Sequence, residues 1–359
     1  MAVPIVVTPG VDPSLADAAD ELPPSQATIT QVASPPSVTT TLLLGADGLP
    51  ITGRKNGIVH APNLILRPRS DSRFSLPRET TEQLLDRLVF ESPFAGPPRT
   101  AIIVAHPDDE AIGAGALMRD LPGVVVVHVT DGAPKRIDAV RRNGHETREE
   151  YARARRDEVL AALRLVGIPA DRIRSLGYVD GEAALRLVEI SYAVAGLLDE
   201  LRPEVVLTHP YEGGHTDHDA TAFAVHLACG VLRREGVPAP IVLELTSYHN
   251  RNGQRVHADF LPFWSVPTRR VDLVPELQLL KERMFRFFTT QQKVLSSFPL
   301  NVERFRVAPR YVFTVPPHDG PLDYERYCTT ITGAEWRANA EKALHILRAK
   351  RRLSARRAS

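Results

Sequence analysis

The chain has 359 residues, 43% of them hydrophobic, enough to bury one large core or a core with an appendage. Lys and Arg total 44 against 43 Asp and Glu, so the net charge of +1 argues against the basic excess of a nucleic-acid-binding protein. Two cysteines, Cys229 and Cys328, exclude a disulfide framework and a CxxC metal site. No apolar run approaches the ~20 residues of a membrane span and no secretory apolar core is present, so a cytoplasmic protein is expected.

Residues 1–98 hold 14 of the 30 prolines and many Ser and Thr. They read as a partly extended arm, with short strands at 37–44 (SVTTTLLL) and 63–66 (NLIL), packing on something else. Residues 99–350 form the domain proper, and 351–359 a basic, solvated tail. Within the domain, apolar strands at 101–105 (AIIVA), 124–129 (VVVVHV), 204–208 (EVVLT) and 241–247 alternate with helices at 110–120, 147–166, 184–201 and 218–234. Later helices fall at 275–297 and 334–350. Strands apolar on both faces, alternating with helices, imply an α/β protein with a parallel sheet covered on both sides.

Ligands of such sheets bind at the carboxyl ends of the strands. AIIVA is followed by His106-Pro107-Asp108-Asp109-Glu110. EVVLT is followed by His209 and a run reaching His215-Thr216-Asp217-His218, and VVVVHV by Thr130-Asp131-Gly132. Imidazoles and carboxylates thus concentrate on one sheet edge, where two His and one carboxylate can hold zinc and leave a position for water. His106 and Asp109 flank a tight turn into a helix, and His218 begins another. Asp108 stands beside them, free to take a proton from metal-bound water. His215, one helical turn before His218, can protonate a leaving amine or stabilise an oxyanion, with Asp217 orienting its imidazole. Taken singly, each has a plainer reading: a His-Pro strand end, an acidic helix N-terminus, solvent-facing loop histidines.

Together, AHPDDE at 105–110 and HPYEGGHTDHDA at 209–220 resemble the PIG-L/LmbE-like deacetylase family over roughly 99–250. Thr130-Asp131-Gly132, Arg155-x-x-Glu158 and Leu176-Gly177-Tyr178-x-Asp180 add to the match. The resemblance implies a Rossmann-like fold and a zinc ion, or iron, held by His106, Asp109 and His218. It further implies hydrolysis of an N-acetyl group on an amino sugar or glycoconjugate, with Asp108 as base, His215 as acid or electrostatic partner, and Asp217 tuning it. Arg155 and Asp180 match substrate-binding positions. One departure is Gly213, where some members place a tyrosine; Tyr211 and Tyr248 are the candidate substitutes.

The rival readings are a non-catalytic sugar- or metal-binding protein on the same fold and a non-haem iron oxygenase using a His-x-Asp. The helical period after His218 disfavours the second. Gly113 and Gly115 lack the third glycine of a dinucleotide fingerprint and suit close helix packing instead. Tyr311, Phe313, Tyr324 and Tyr327 read first as packing residues and second as walls of a sugar site. A homo-oligomer is left open.

Overall fold

The computed structural model describes residues 80–89, 96–327 and 331–358, the last eleven of these by backbone alone. All fall in one compact unit, His60–Ser359; the arm strands expected at 37–44 and 63–66 lie outside the described residues. In chain order the elements are α1 (Thr81–Val89), β1 (Thr100–Val104), α2 (Asp109–Ala114), β2 (Val125–Pro134), α3 (Ile137–Arg142), α4 (Arg148–Arg164), β3 (Ile173–Asp180) and α5 (Leu187–Leu201). There follow β4 (Val205–Thr208), α6 (Thr216–Arg234), β5 (Ile241–Leu245), β6 (Tyr248–Arg251), β7 (Gln254–His257) and β8 (Thr268–Asp272). The chain closes through α7 (Pro275–Phe287), α8 (Gln292–Leu295), β9 (Val302–Val307) and α9 (Gly333–Ala358).

A seven-stranded sheet runs in the order β3-β2-β1-β4-β5-β9-β8. The strands from β3 to β5 are parallel, with Ala101 opposite both Val125 and Val206. This is the Rossmann-like order expected for strands joined by helical crossovers. Successive side chains of a strand point to opposite faces, and the cores follow that alternation. Ile103, Val127 and Val206 enter a core with residues of α5, α6 and α9, while Ile102, Val126 and Leu207 enter a second with α1, α2, α4 and α7. Both faces of β1 are therefore dry, which is why TAIIV is apolar or small throughout.

The sheet is not parallel throughout: β9 (VERFRV) and β8 (TRRVD) extend it antiparallel beyond β5. Their charged, alternating sequences give none of the continuous apolar signal that marks the other strands. Residues 81–89, compositionally part of the arm, form a helix that buries Leu84, Leu85 and Leu88 in the second core. At the other end α9 continues to Ala358, so the backbone of the basic segment is helical as far as that residue. No helix among the described residues is long and apolar enough to cross a membrane.

Helix α2 is seated closely. A Cβ on Gly113 would lie 2.4 Å from Leu245 Cδ1, so glycine there permits the helix to approach β5. A buried ion pair fixes its far end. Lys281 Nζ donates to Glu303 Oε1 at 3.0 Å and to Ile112 O at 2.8 Å, and Glu303 accepts the Ala116 and Leu117 N–H groups. Both side chains are 1% exposed. Removing one partner leaves the other charge buried, so Lys281→Met is expected to lower the unfolding free energy by about 3–5 kcal/mol. Urea denaturation checks this; an unchanged midpoint would contradict it.

Candidate active site

β1 and β4 are neighbours whose chains leave the sheet in opposite directions, which opens a crevice at their carboxyl ends. Into it β1 delivers His106–Glu110, β4 the loop 209–215 and the first turn of α6, and β3 its terminal Asp180. The turn after β1 is tightly held. The His106 N–H donates to Asp109 Oδ2 at 2.8 Å, and Asp108 takes a positive φ of 144°, strained for a non-glycine residue. Buried Arg155 fixes that turn by donating from Nη2 to Pro107 O at 2.6 Å and lying 3.3 Å from Asp108 Oδ2. Glu110, fully buried, accepts the Asp108 N–H and is held in turn by His128 Nε2 at 2.9 Å.

The Asp109 carboxylate joins the histidines. Its Oδ2 lies 3.2 Å from His106 Nδ1, and its Oδ1 lies 3.2 Å from His218 Nε2. The expected set His106, Asp109 and His218 is therefore linked pairwise through the two oxygens of Asp109, and its three donor atoms do not converge as one of the mutually close sets. Among the described residues, donor atoms converge mutually within 4.8 Å in three sets: His106/His215/His218, Asp109/His209/His218 and His106/Asp180/Asp217. His209 had no expected role, although it follows β4 as His106 follows β1. Its ring stacks on His218 with centroids 4.0 Å apart, and its Nε2, 3.2 Å from Asp109 Oδ2, accepts the Ala105 N–H. That bond occupies the lone pair a metal would need and leaves the buried Nδ1 without a partner among the described residues.

The charges are mutually tuned. Burial opposes ionisation of His106, but Asp180, Asp109 and Asp217 around it hold its pKa well above the usual histidine range. Burial likewise works against the Asp109 carboxylate, yet His218 and His209 hold it well below the usual carboxylate range. Burial takes His218 down to about 4. The same cause, against the pull of Arg155, pushes Asp108 up to about 7.

Asp180 and Asp217 sit against His106 Nε2, at 3.2 and 3.3 Å. This corrects the expected pairing of Asp217 with the His215 imidazole. The Asp217 carboxylate accepts the Gly181 and Ala183 N–H groups, and only its backbone N–H reaches His215, donating to Nδ1 at 3.2 Å as the cap of α6. A neutral His215 consequently carries its proton on Nε2. Burial and the His106 charge take its pKa down to about 4, opposite to the direction expected from Asp217. Arg155 and Asp180 thus both contact the turn or its histidine; Arg155 Nε and Nη1 remain buried without a partner among the described residues.

The tyrosines divide. Tyr211 packs against Phe313 and Trp336 and donates its hydroxyl to Val315 O, away from the crevice. Phe313 and Tyr324 are likewise buried, and partly buried Tyr311 packs against the same core. Tyr248 lies against the histidines, its ring 5.4 Å from that of His218, and Tyr327 lies 6.2 Å from His215. A Cβ on Gly214 would fall 1.9 Å from Tyr248 O, so the loop can pass this wall only as glycine.

Residues 101–229 match the PIG-L family, described as GlcNAc-PI de-N-acetylase. Similar proteins include a probable N-acetyl-alpha-D-glucosaminyl L-malate deacetylase 2 of Bacillus cereus, 28% identical over 40% of this chain and 67% of its own length. A 1D-myo-inositol 2-acetamido-2-deoxy-alpha-D-glucopyranoside deacetylase of a Mycobacterium species is 29% identical over 34% of this chain and 47% of its own. A diacetylchitobiose deacetylase of Thermococcus kodakarensis is 30% identical over 40% and 55%. The match thus spans from about half to two thirds of these relatives. Among solved structures, a deacetylase of teicoplanin biosynthesis superposes with a TM-score of 0.46 at 19% identity, covering 58% of this chain and 96% of its own.

The Asp108 environment has a consequence for stability. Its pKa is raised on folding, so between about pH 4 and pH 7 the native state retains a proton that the unfolded chain releases, and stability falls as pH rises through that window. In chelator-treated protein, Asp108→Asn is expected to remove part of the loss between pH 5 and pH 8. Urea midpoints at the two pH values check it, and an identical pH dependence in both proteins would contradict it.

Proposed function

We propose that the chain is a metal-dependent hydrolase that removes an N-acyl group, acetyl being the natural candidate, from an amino sugar or glycoconjugate. The observation that carries the reading is the Asp109 carboxylate set between His106 and His218, in a crevice that also holds Asp108 and His215. The family match and the names of the relatives support it.

The donor set fits a divalent cation such as zinc or iron(II). The chemistry of the donors, two imidazoles and a carboxylate, suits such an ion; the two Asp109–histidine contacts, each 3.2 Å, are made by opposite carboxylate oxygens, so joint ligation would require the Asp109 or His106 side chain to turn. Buried carboxylates without a cation would also be costly in this number. His106, Asp109 and His218 would hold the ion, while His209, whose Nε2 accepts the Ala105 N–H and whose ring stacks on His218, would lie beside them outside the ligand set. Such an ion supplies a Lewis acid and brings the pKa of water towards neutrality.

The protein's own groups do the rest. Asp108, fixed by Arg155 and by the Glu110–His128 pair, is placed to take a proton from the attacking water. His215 turns Nε2–H towards the crevice because Nδ1 is occupied by the Asp217 N–H. A neutral imidazole in that tautomer suits hydrogen bonding to the oxyanion that develops on the acyl carbonyl. With no carboxylate on the His215 ring, the proton taken by Asp108 is the one available to the departing nitrogen.

Purified protein should hold about one cation per chain and release acetate from N-acetylglucosamine conjugates, and His106→Ala, Asp109→Ala and His218→Ala should lose both. Asp108→Asn should keep its cation and lose about 10²-fold or more in rate. A cation-loaded protein that releases no acetate from any N-acetylated sugar tested would favour a binding protein instead. His215→Ala should slow amide and activated-ester substrates by similar factors, about 10²-fold. A much larger loss on the amide, whose leaving group needs a proton, would restore the general-acid role.

A further inference from the structure

The wall beside the histidines comes from segments outside the family match. The β6–β7 hairpin turns through Asn252 and Gly253, both at positive φ, and pairs Tyr248 with His257. It is bound to the segment 321–327, since Asn250 Nδ2 donates to Pro321 O at 2.6 Å and Arg326 Nη2 donates to Gly253 O. That segment is tied to the catalytic loop: the Asp323 N–H donates to Gly213 O at 2.8 Å, and the Tyr327 hydroxyl donates to Gly214 O at 2.7 Å. Anything seated on this wall is positioned against His215 and His218.

At its centre the Arg255 guanidinium lies over two aromatic rings, 4.8 Å from the centroid of Tyr248 and 5.3 Å from that of Tyr327. Its Nε and Nη2 are held by Asp323 at 2.8 and 2.6 Å. The pair is asymmetric towards solvent: the Asp323 side chain is fully buried and that of Arg255 is 39% exposed. Arg326 is exposed on the same segment, and neighbouring Glu325 spends its carboxylate on the Leu322 and Gly333 N–H groups. The wall therefore shows solvent Arg255, Arg326 and a partly exposed tyrosine ring; the acid paired with Arg255 is buried, and exposed Glu325 is held by backbone N–H groups. A guanidinium fixed on one edge and stacked on rings is preorganised to offer its remaining N–H groups to an oxyanion.

We propose that Arg255, supported by Arg326, with the Tyr327 ring as a platform, is a subsite for a phosphate or carboxylate carried by the group attached to the amino sugar. The proposal rests on the deacetylase reading for the orientation of the sugar, and the subsite selects which conjugate is processed. Asp323 is a positioning residue for Arg255.

The test compares acetate release from N-acetylglucosamine 1-phosphate, from a carboxylate-bearing glycoside of N-acetylglucosamine and from its neutral methyl glycoside. Calorimetric binding of the three corresponding free amines supplies a readout independent of turnover. One anionic conjugate is expected to exceed the neutral one by about tenfold in kcat/KM, mainly through KM, and the larger arm identifies phosphate or carboxylate. Arg255→Gln should bring the ratio towards one. Arg255→Gln combined with Asp323→Asn, which leaves no buried carboxylate unpaired, should do the same. Equal handling of charged and neutral conjugates overturns the subsite, as does a double variant that lowers all three substrates alike with the ratio kept. Acetate release without anion preference removes the subsite and keeps the deacetylase. Arg255-dependent preference in calorimetry without acetate release does the reverse.

Discussion

The arrangement depends on one carboxylate. Asp109 faces His106 and His218 from its two oxygens, and the Ala105–His209 hydrogen bond places a third imidazole beside it. These groups come from the ends of β1 and β4 and the start of α6, which meet only because those two strands are adjacent in a sheet whose crossovers leave in opposite directions. A dry, rigid strand pair fixes the spacing, and the spacing fixes what the carboxylate can share.

Around that centre the fold confines strain and charge to one turn. Asp108 at φ 144° is held by Arg155 on the preceding carbonyl and by Glu110 on its own N–H, with His128 fixing Glu110 from within β2. An unfavourable backbone conformation persists when its surroundings over-determine it. The far end of α2 is anchored by Glu303 and Lys281, so the antiparallel extension of the sheet braces the helix that carries Asp109.

Much of this was legible in the sequence because buried parallel strands write themselves as continuous apolar runs, and polar clusters after such runs fall on one edge. Asp180 and Arg155 were placed near the centre only through the resemblance, and the structure sets both against the turn or its histidine. β8 and β9 were not legible, since TRRVD has no fully buried residue and VERFRV buries Glu303 and Arg306 through specific partners that no periodicity announces. The β6–β7 hairpin carries one sequence signal, Asn252-Gly253, a dipeptide suited to positive φ, but its polar strands lack the apolar run that marks the others. Asp217 misled for a different reason: proximity in sequence suggested a partner for the His215 imidazole, while the helix turn aims its carboxylate at His106 and the 181–183 backbone. Tyr327 could not be told from Tyr324 by pattern, since three residues separate a buried ring from one on the wall of the crevice.

The central claim is that Asp109 joins His106 and His218 on one cation, with His209 outside the coordination shell. Anomalous diffraction from crystals soaked with zinc or cobalt tests it directly. The account predicts one principal peak within about 2.0–2.2 Å of Asp109, His106 and His218 donor atoms, with His209 Nε2 still on the Ala105 N–H. A peak centred instead between His106, Asp180 and Asp217, or one that takes His209 as a ligand in place of His106, would contradict it.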